Sequence, residues 1–310
     1  MASFTGNSDH AVSGPAICNY EGTSYRAEFW DGHGREYEDL AERIALRRLL
    51  PPQGQRLVDI GAGFGRLADL YDGYEQVVLL DYATSGLREA QARLGRSGRF
   101  IYAAANIYEF PLAPGSVDTA VSVRVLHHLS DVPAALRAIA QALRPGGTYV
   151  LEYANKRNFK AVARYLSRRQ SWSPFSAEPY EFTKLNFDFH PDWMARQLAQ
   201  AGFRIDSGLA VSHFRQRLLK RLIPAERLAR LDGLIQRPAA ALKLAPSIFL
   251  RGRTNGGVAS KGLLSARALF ACPTCRSSGL VGDASALVCS QCGASWPILD
   301  GIYDFRRSDG

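Results

Sequence analysis

Short apolar runs alternate along this chain with amphipathic stretches, and that alternation divides it into strands and helices. Leu57, Val58 and Ile60 form one apolar run interrupted by Asp59, and Val77-Val78-Leu79-Leu80-Asp81 forms a second that also ends on an acid. Runs without polar alternation predict strands buried on both faces of a sheet. The stretch Glu38 to Leu50 carries helical character and is closed by Pro51-Pro52. Pro145-Gly146-Gly147 breaks any helix, so Leu143 to Glu152 predicts a helix stop followed by a strand. A helix is predicted over Pro191 to Gly202, then strands at Phe203 to Asp206 and Ser247 to Arg251. Between those strands, Phe214 to Leu244 has helical periodicity, with Leu218, Leu222, Leu228 and Leu231 interleaved with arginines. Such a stretch reads as an amphipathic cap, or as a membrane-surface helix or an RNA-facing patch.

The first apolar run leads into Asp59-Ile60-Gly61-Ala62-Gly63-Phe64-Gly65. Glycines at this spacing let a turn adopt backbone angles that a side chain forbids, so a ligand can approach the main chain. The spacing departs from the Gly-x-Gly-x-x-Gly of dinucleotide binders. Asp81 ends the next strand about 20 residues on, where a ribose diol is held in such folds.

These residues resemble motif I and the following acidic strand end of the class I S-adenosylmethionine-dependent methyltransferases. Further segments are similar to that family in the same order: Ala105 to Leu112, Ser116 to Val123, Val125 to Leu129 and Leu143 to Glu152. The resemblance covers roughly residues 50 to 155 and, more loosely, up to about 255. It implies an α/β Rossmann-like sheet of seven strands in the order 3-2-1-4-5-7-6. It also implies a cofactor site: Asp59 near the methionine moiety, Gly61, Ala62, Gly63 and Gly65 beneath the cofactor, and Asp81 with Tyr82 at the ribose. Asn106 and Ile107 fall at the adenine, with Asn106 where many members carry Asp, and an amide can still accept from the adenine amino group.

Length and charge add to this picture. At 310 residues and 46% apolar, the chain accommodates one large α/β domain and a small module. No run approaches the roughly 18 to 20 apolar residues of a membrane span, and the N-terminus lacks a basic region followed by an apolar core. A cytoplasmic enzyme is the expectation. The net charge of +9 is concentrated after residue 155, which invites an anionic partner such as RNA, an acidic membrane surface or a phosphorylated substrate.

Cys272, Cys275, Cys289 and Cys292 form two Cys-x-x-Cys turns, the pattern of a structural Zn2+ site with four thiolate ligands. A disulfide pair is the competing reading, disfavoured without a secretory context. Cys18 stands apart as an ordinary thiol. The segment after the second pair, Gly293 to Phe305, resembles the zinc-ribbon activator subunits that partner methyltransferases. The domain expectation is therefore an N-terminal lid or helical region (1–50), a methyltransferase domain (51–253) with insertions near 155–189 and 214–244, a linker (254–268) and a zinc ribbon (269–310).

Aromatic residues Tyr20, Tyr25, Phe29, Trp30, His33 and Tyr37 suggest a lid over the site or a helix packed on the sheet. Methyl transfer is an in-line displacement, so the protein mainly aligns the acceptor and excludes water, and a base is needed only for a protonated acceptor. Candidates at strand ends are His128, Tyr153 and His190, the last with Asp188 as its orienting partner, and each reads equally as a positioning or structural residue. Arg124 is expected to face the site. The acceptor reads as a small molecule, with an RNA acceptor or a non-catalytic cofactor-binding scaffold as alternatives. Nothing in the sequence sets the oligomeric state.

Overall fold

The computed structural model describes residues 15–22, 34–255 and 268–306. Strand β1 (Gly54–Ile60) sits inside the main sheet because Leu57, Val58 and Ile60 bury both of its faces. It pairs in parallel with β2 (Tyr74–Asp81) on one side and β4 (Val117–Ser122) on the other, and β3 (Phe100–Ala104) and β5 (Leu143–Ala154) extend these pairings outward in parallel. After β5 the chain forms a hairpin of β6 (Tyr180–Thr183) and β7 (Asn186–Asp188). Strands β8 (Phe203–Val211) and β9 (Ser247–Thr254) then complete the core, with β9 antiparallel between β5 and β8. The resulting order, β3-β2-β1-β4-β5-β9-β8, is the expected 3-2-1-4-5-7-6.

Successive strand residues point to opposite faces, and the apolar core divides accordingly. Val58, Ile60, Val78, Leu80 and Ala103 belong to one buried cluster, and Leu57, Val77, Leu79, Tyr102 and Ala104 to another. Over the second cluster lies α1 (Glu36–Leu49), which buries Ala41, Ala45, Leu46 and Leu49 at helical spacing. Helix α2 (Thr84–Leu94) follows β2. Helix α3 (Val132–Ala142) starts where the Asp131 side chain accepts from the Ala134 amide at 2.9 Å, and it buries Leu136 and Ile139 in the first cluster.

Three expectations change. The sheet has eleven strands rather than seven, because β10 (Leu280–Gly282), β11 (Ala286–Cys289), β12 (Ser295–Leu299) and β13 (Ile302–Asp304) continue it beyond β3. β13 pairs in parallel with β3, Ile302 opposite Tyr102 and Asp304 opposite Ala104. In the seven-strand order β3 is an edge with unpaired backbone groups, and the C-terminal module covers it. Second, the 155–189 insertion is not all loop: besides the hairpin it carries α4 (Phe159–Leu166), and α5 (Pro191–Gln200) follows. Third, the 214–244 stretch is two helices, α6 (Arg217–Leu222) and α7 (Ala225–Ala240), because Pro224 lacks the amide to continue the first. α7 packs on α1, where Gln236 Nε2 donates to the Ala41 carbonyl at 3.0 Å. Among the described residues no helix is long and apolar enough to cross a membrane.

Candidate cofactor and acceptor site

The pocket opens where β1, β2 and β4 end, because the glycine loop lets the chain leave β1 without filling the space above the sheet. Gly61 has φ +69, and a Cβ there would lie 2.4 Å from Val125 Cγ2, so no other residue fits that position without displacing the segment after β4. Gly63 has φ +51 and nothing within 4 Å of where a Cβ would stand, so it faces open space in the pocket lining. Its amide donates to Asp81 Oδ2 at 2.7 Å, and the Ala83 amide donates to Oδ1 at 2.9 Å. The second acid thus holds the glycine loop in place as well as lining the pocket.

Most of the anticipated residues converge here. Asp59, Gly61, Ala62, Gly63, Asp81, Tyr82, Ile107, Arg124 and His128 line the pocket. Burial pushes the Asp59 carboxyl up to about 7 and also raises that of Asp81. Four anticipated residues lie outside the lining. Gly65 takes φ +71 further along the loop. Asn106 accepts from the Tyr108 amide at 3.0 Å, closing a short helical turn. Tyr153 is buried in the core, and burial raises its phenol well above the ordinary range. His190 caps α5 by accepting from the Asp192 amide at 3.2 Å, and its nearest carboxylate is Asp192, not Asp188.

His128 is held from both sides. Nδ1 lies 3.1 Å from the Leu185 carbonyl and Nε2 lies 3.2 Å from the Tyr20 hydroxyl. A carbonyl only accepts, so Nδ1 carries the proton and Nε2 carries the lone pair. Burial lowers the His128 pKa, which keeps the ring neutral. Arg124 takes φ +62 at the end of β4. Its amide donates to Glu152 Oε2 at 3.0 Å and its guanidinium pairs with the buried Glu42. Burial opposes the charge on Glu42, but Arg124 and Arg66 outweigh it and hold its carboxyl below the ordinary value.

The chain N-terminal to α1 closes one side, with Ile17, Cys18 and Tyr20 in the lining. Tyr25, Phe29, Trp30 and His33 of the anticipated lid lie outside the described residues, as do residues 256–267 of the linker. Tyr37 belongs to α1 and packs in the core. Glu21 anchors this segment: its carboxylate accepts from the Thr84 amide at 2.7 Å and the Ser85 amide at 3.1 Å, at the start of α2. Arg306, just after β13, donates to Glu21 Oε2 at 3.0 Å and to the Tyr82 carbonyl at 3.2 Å, while its other nitrogens are held by Asp304. The C-terminal module therefore touches both the lid and the pocket lining. Sequence reasoning missed Glu21 and Arg306, since neither lies in a local motif.

The four C-terminal cysteines place their sulfurs within 4.8 Å of one another, Cys272 and Cys292 at 3.6 Å and Cys275 and Cys289 at 3.5 Å. A tetrahedral zinc site with bonds of about 2.3 Å separates its sulfurs by roughly 3.8 Å, whereas a disulfide needs about 2.05 Å. The donor set fits a metal ion. Phe270, Trp296 and Phe305 pack around this module and join the same buried cluster as Val58 and Leu80.

A mainly parallel sheet in this order with an antiparallel β9, and a glycine loop beside an acid at the end of β2, defines a nucleoside-cofactor protein of the class I methyltransferase type. A methyltransferase-domain family model matches residues 58–151. The ubiquinone biosynthesis O-methyltransferase of Paracidovorax citrulli is 31% identical over 170 residues, covering 52% of this chain and 68% of that protein. The methyltransferase tpcM of Aspergillus fumigatus is 43% identical over 93 residues, which span 29% of this chain and only 28% of the relative. Among solved structures, one from the complex between the Haloferax volcanii Trm112 methyltransferase activator and its assigned methyltransferase aligns with TM-score 0.51. Its identity is 17%, and the match covers 74% of this chain and 97% of that one. The chain belongs to the class I S-adenosylmethionine-dependent methyltransferase family.

Proposed function

We propose that this protein methylates a hydroxyl group of a small molecule, with S-adenosylmethionine as donor and His128 as the base. The observation that carries the reading is the tautomer of His128: a neutral ring in the pocket lining, with Nδ1–H committed to a carbonyl and Nε2 free to accept a proton once Tyr20 yields to an acceptor. When bound, S-adenosylmethionine supplies a methyl group on a sulfonium. Asp59 would face its methionine end, Asp81 and Tyr82 the ribose, and Ile107 the adenine. Ile17, Cys18 and Tyr20 would exclude water from the opposite side. His128 Nε2 would take the proton of the acceptor hydroxyl, leaving its oxygen as the nucleophile. The relatives named as O-methyltransferases support this choice of acceptor atom.

We also infer that Cys272, Cys275, Cys289 and Cys292 hold a structural zinc ion and that the ribbon supports the catalytic domain within one chain. Support comes from the β13–β3 pairing and from Arg306. A related arrangement in two chains is named for the Haloferax volcanii complex.

A screen of hydroxylated small molecules with methyl-labelled S-adenosylmethionine tests the central reading. Labelled ether products are expected from the wild type and not from His128→Gln, with cofactor binding retained in both. Turnover by His128→Gln at the wild-type rate contradicts the role of the base. Labelling of RNA alone contradicts the acceptor class.

A further inference from the structure

A second cavity, of about 850 Å³, lies away from the cofactor pocket, between α4, the end of β8 and the chain joining α7 to β9. Its lining contains Lys160, Arg164, Arg169 and Arg215 and no carboxylate. None of these four forms an ion pair with a described residue. Arg215 donates to the Ser247 hydroxyl at 3.0 Å, and Asp188 feels Arg215 and Arg164 without pairing with either. The contrast with other basic residues of the same region is clear. Arg251 and Arg253 pair with Asp206, Lys220 pairs with Glu38, and Lys156 donates to the carbonyls of Ser176 and Glu178. Four cations around one groove, none of them in an ion pair with a described residue, favour an anion.

One wall of the cavity is tied by hydrogen bonds to a buried carboxylate. Buried Asp232 accepts from the Ser212 amide at 3.1 Å, the His213 amide at 3.0 Å and His213 Nδ1 at 2.6 Å. Ser212 is fully buried at φ +68, and its hydroxyl has no partner; neither has His213 Nε2. Buried polar groups are ordinarily satisfied, and strained backbone persists where the surroundings impose it. Both orphaned atoms are themselves shielded from solvent, so they belong to the wall behind the cavity. Besides the polar Asn158, Ser167 and Gln216, the lining carries apolar side chains: Phe159 and Leu242 are 70% and 61% exposed, and Ala163 and Leu244 are also in the lining.

We propose that this groove binds a single-chain anionic amphiphile. Its phosphate or carboxylate head meets Arg164, Arg169 and Arg215, and its chain lies along Phe159 and Leu242. The half-apolar concave lining favours this occupant over RNA, which is bound through stacking aromatics on an open basic surface. The inference is independent of the methyl-transfer reading.

Calorimetric titration of the full chain, without cofactor, with a twelve-carbon alkyl phosphate below its micelle concentration tests it. Saturable binding of about one molecule per chain is expected. Inorganic phosphate should bind about tenfold more weakly, and a twelve-carbon trimethylammonium not at all. The triple substitution Lys160→Gln, Arg164→Gln, Arg169→Gln alters exposed side chains only, so its melting temperature should match the wild type while affinity for the alkyl phosphate falls about tenfold or more. Leu242→Asn, which is neutral, should weaken the alkyl phosphate and leave inorganic phosphate unchanged. Equal binding of the cationic amphiphile, unaltered affinity in the triple variant, or association with phosphatidylglycerol vesicles but not with the monomeric probe overturns the proposal.

Discussion

Asp59 and His128 sit in the same pocket with opposite requirements. Burial raises Asp59 to about 7, so in the free protein its proton is favoured by folding. That contribution to stability is fully present below the unfolded value of about 3.9 and is lost as pH rises through about 7. Binding would reverse the preference, because the ammonium group of the cofactor's methionine moiety favours the carboxylate. Affinity for S-adenosylmethionine is therefore expected to rise between pH 6 and pH 8 and then level off, with Asp59→Asn flattening the dependence. Titration calorimetry across that range checks it, and a slope unchanged in the variant contradicts it. Burial lowers the pKa of His128 and so favours its neutral form. His128→Gln should reduce kcat by about 10²–10⁴ with cofactor affinity unchanged, as measured by turnover beside calorimetry. Gly61→Ala drives a Cβ to 2.4 Å from Val125 at a positive φ, and should abolish cofactor binding while lowering the melting temperature.

Between elements, the decisive contacts link distant parts of the chain. Arg306 meets Glu21 across nearly the whole length of the chain, and through it the end of β13 stabilises the lid at the start of α2. Charge-assisted hydrogen bonds contribute about 1.5–3 kcal/mol when desolvated, and both partners are partly exposed, so the lower end applies. Arg306→Ala is expected to weaken S-adenosylmethionine binding about tenfold without unfolding the protein, which calorimetry and thermal melting together resolve. What the sequence made legible follows the same division. The apolar runs of β1 and β2 and the glycine loop are local signals, and so are the paired Cys-x-x-Cys turns. The β13–β3 pairing is not, because Ile302-Tyr303-Asp304 reads equally well as a loop until the open edge of β3 is known. Pro224 was visible, yet the leucine periodicity on either side of it masked the break between α6 and α7. Asn106, at a motif position, and His190, a strand-end candidate, illustrate the converse: both side chains take local capping roles.

Across the whole molecule, the C-terminal module and the methyltransferase sheet share one apolar cluster in which Phe270, Cys272 and Phe305 join Val58 and Leu80. On the proposed zinc reading, loss of the metal should therefore destabilise more than that module. A zinc site in a small module contributes on the order of 10 kcal/mol to its folding, and part of that support would reach β3 through its pairing with β13. Chelation, or Cys272→Ser, is expected to lower the main thermal transition and expose the β3 edge to hydrogen exchange. An unchanged main transition in zinc-stripped protein contradicts the shared core.

The cofactor pocket is the claim on which the rest depends. Its most direct test is calorimetric titration of the wild type and Asp81→Ala with S-adenosylmethionine and its demethylated product. Micromolar binding of both by the wild type, lost in the variant although the variant still melts cooperatively, is the predicted result. Absence of binding by the folded wild type contradicts it.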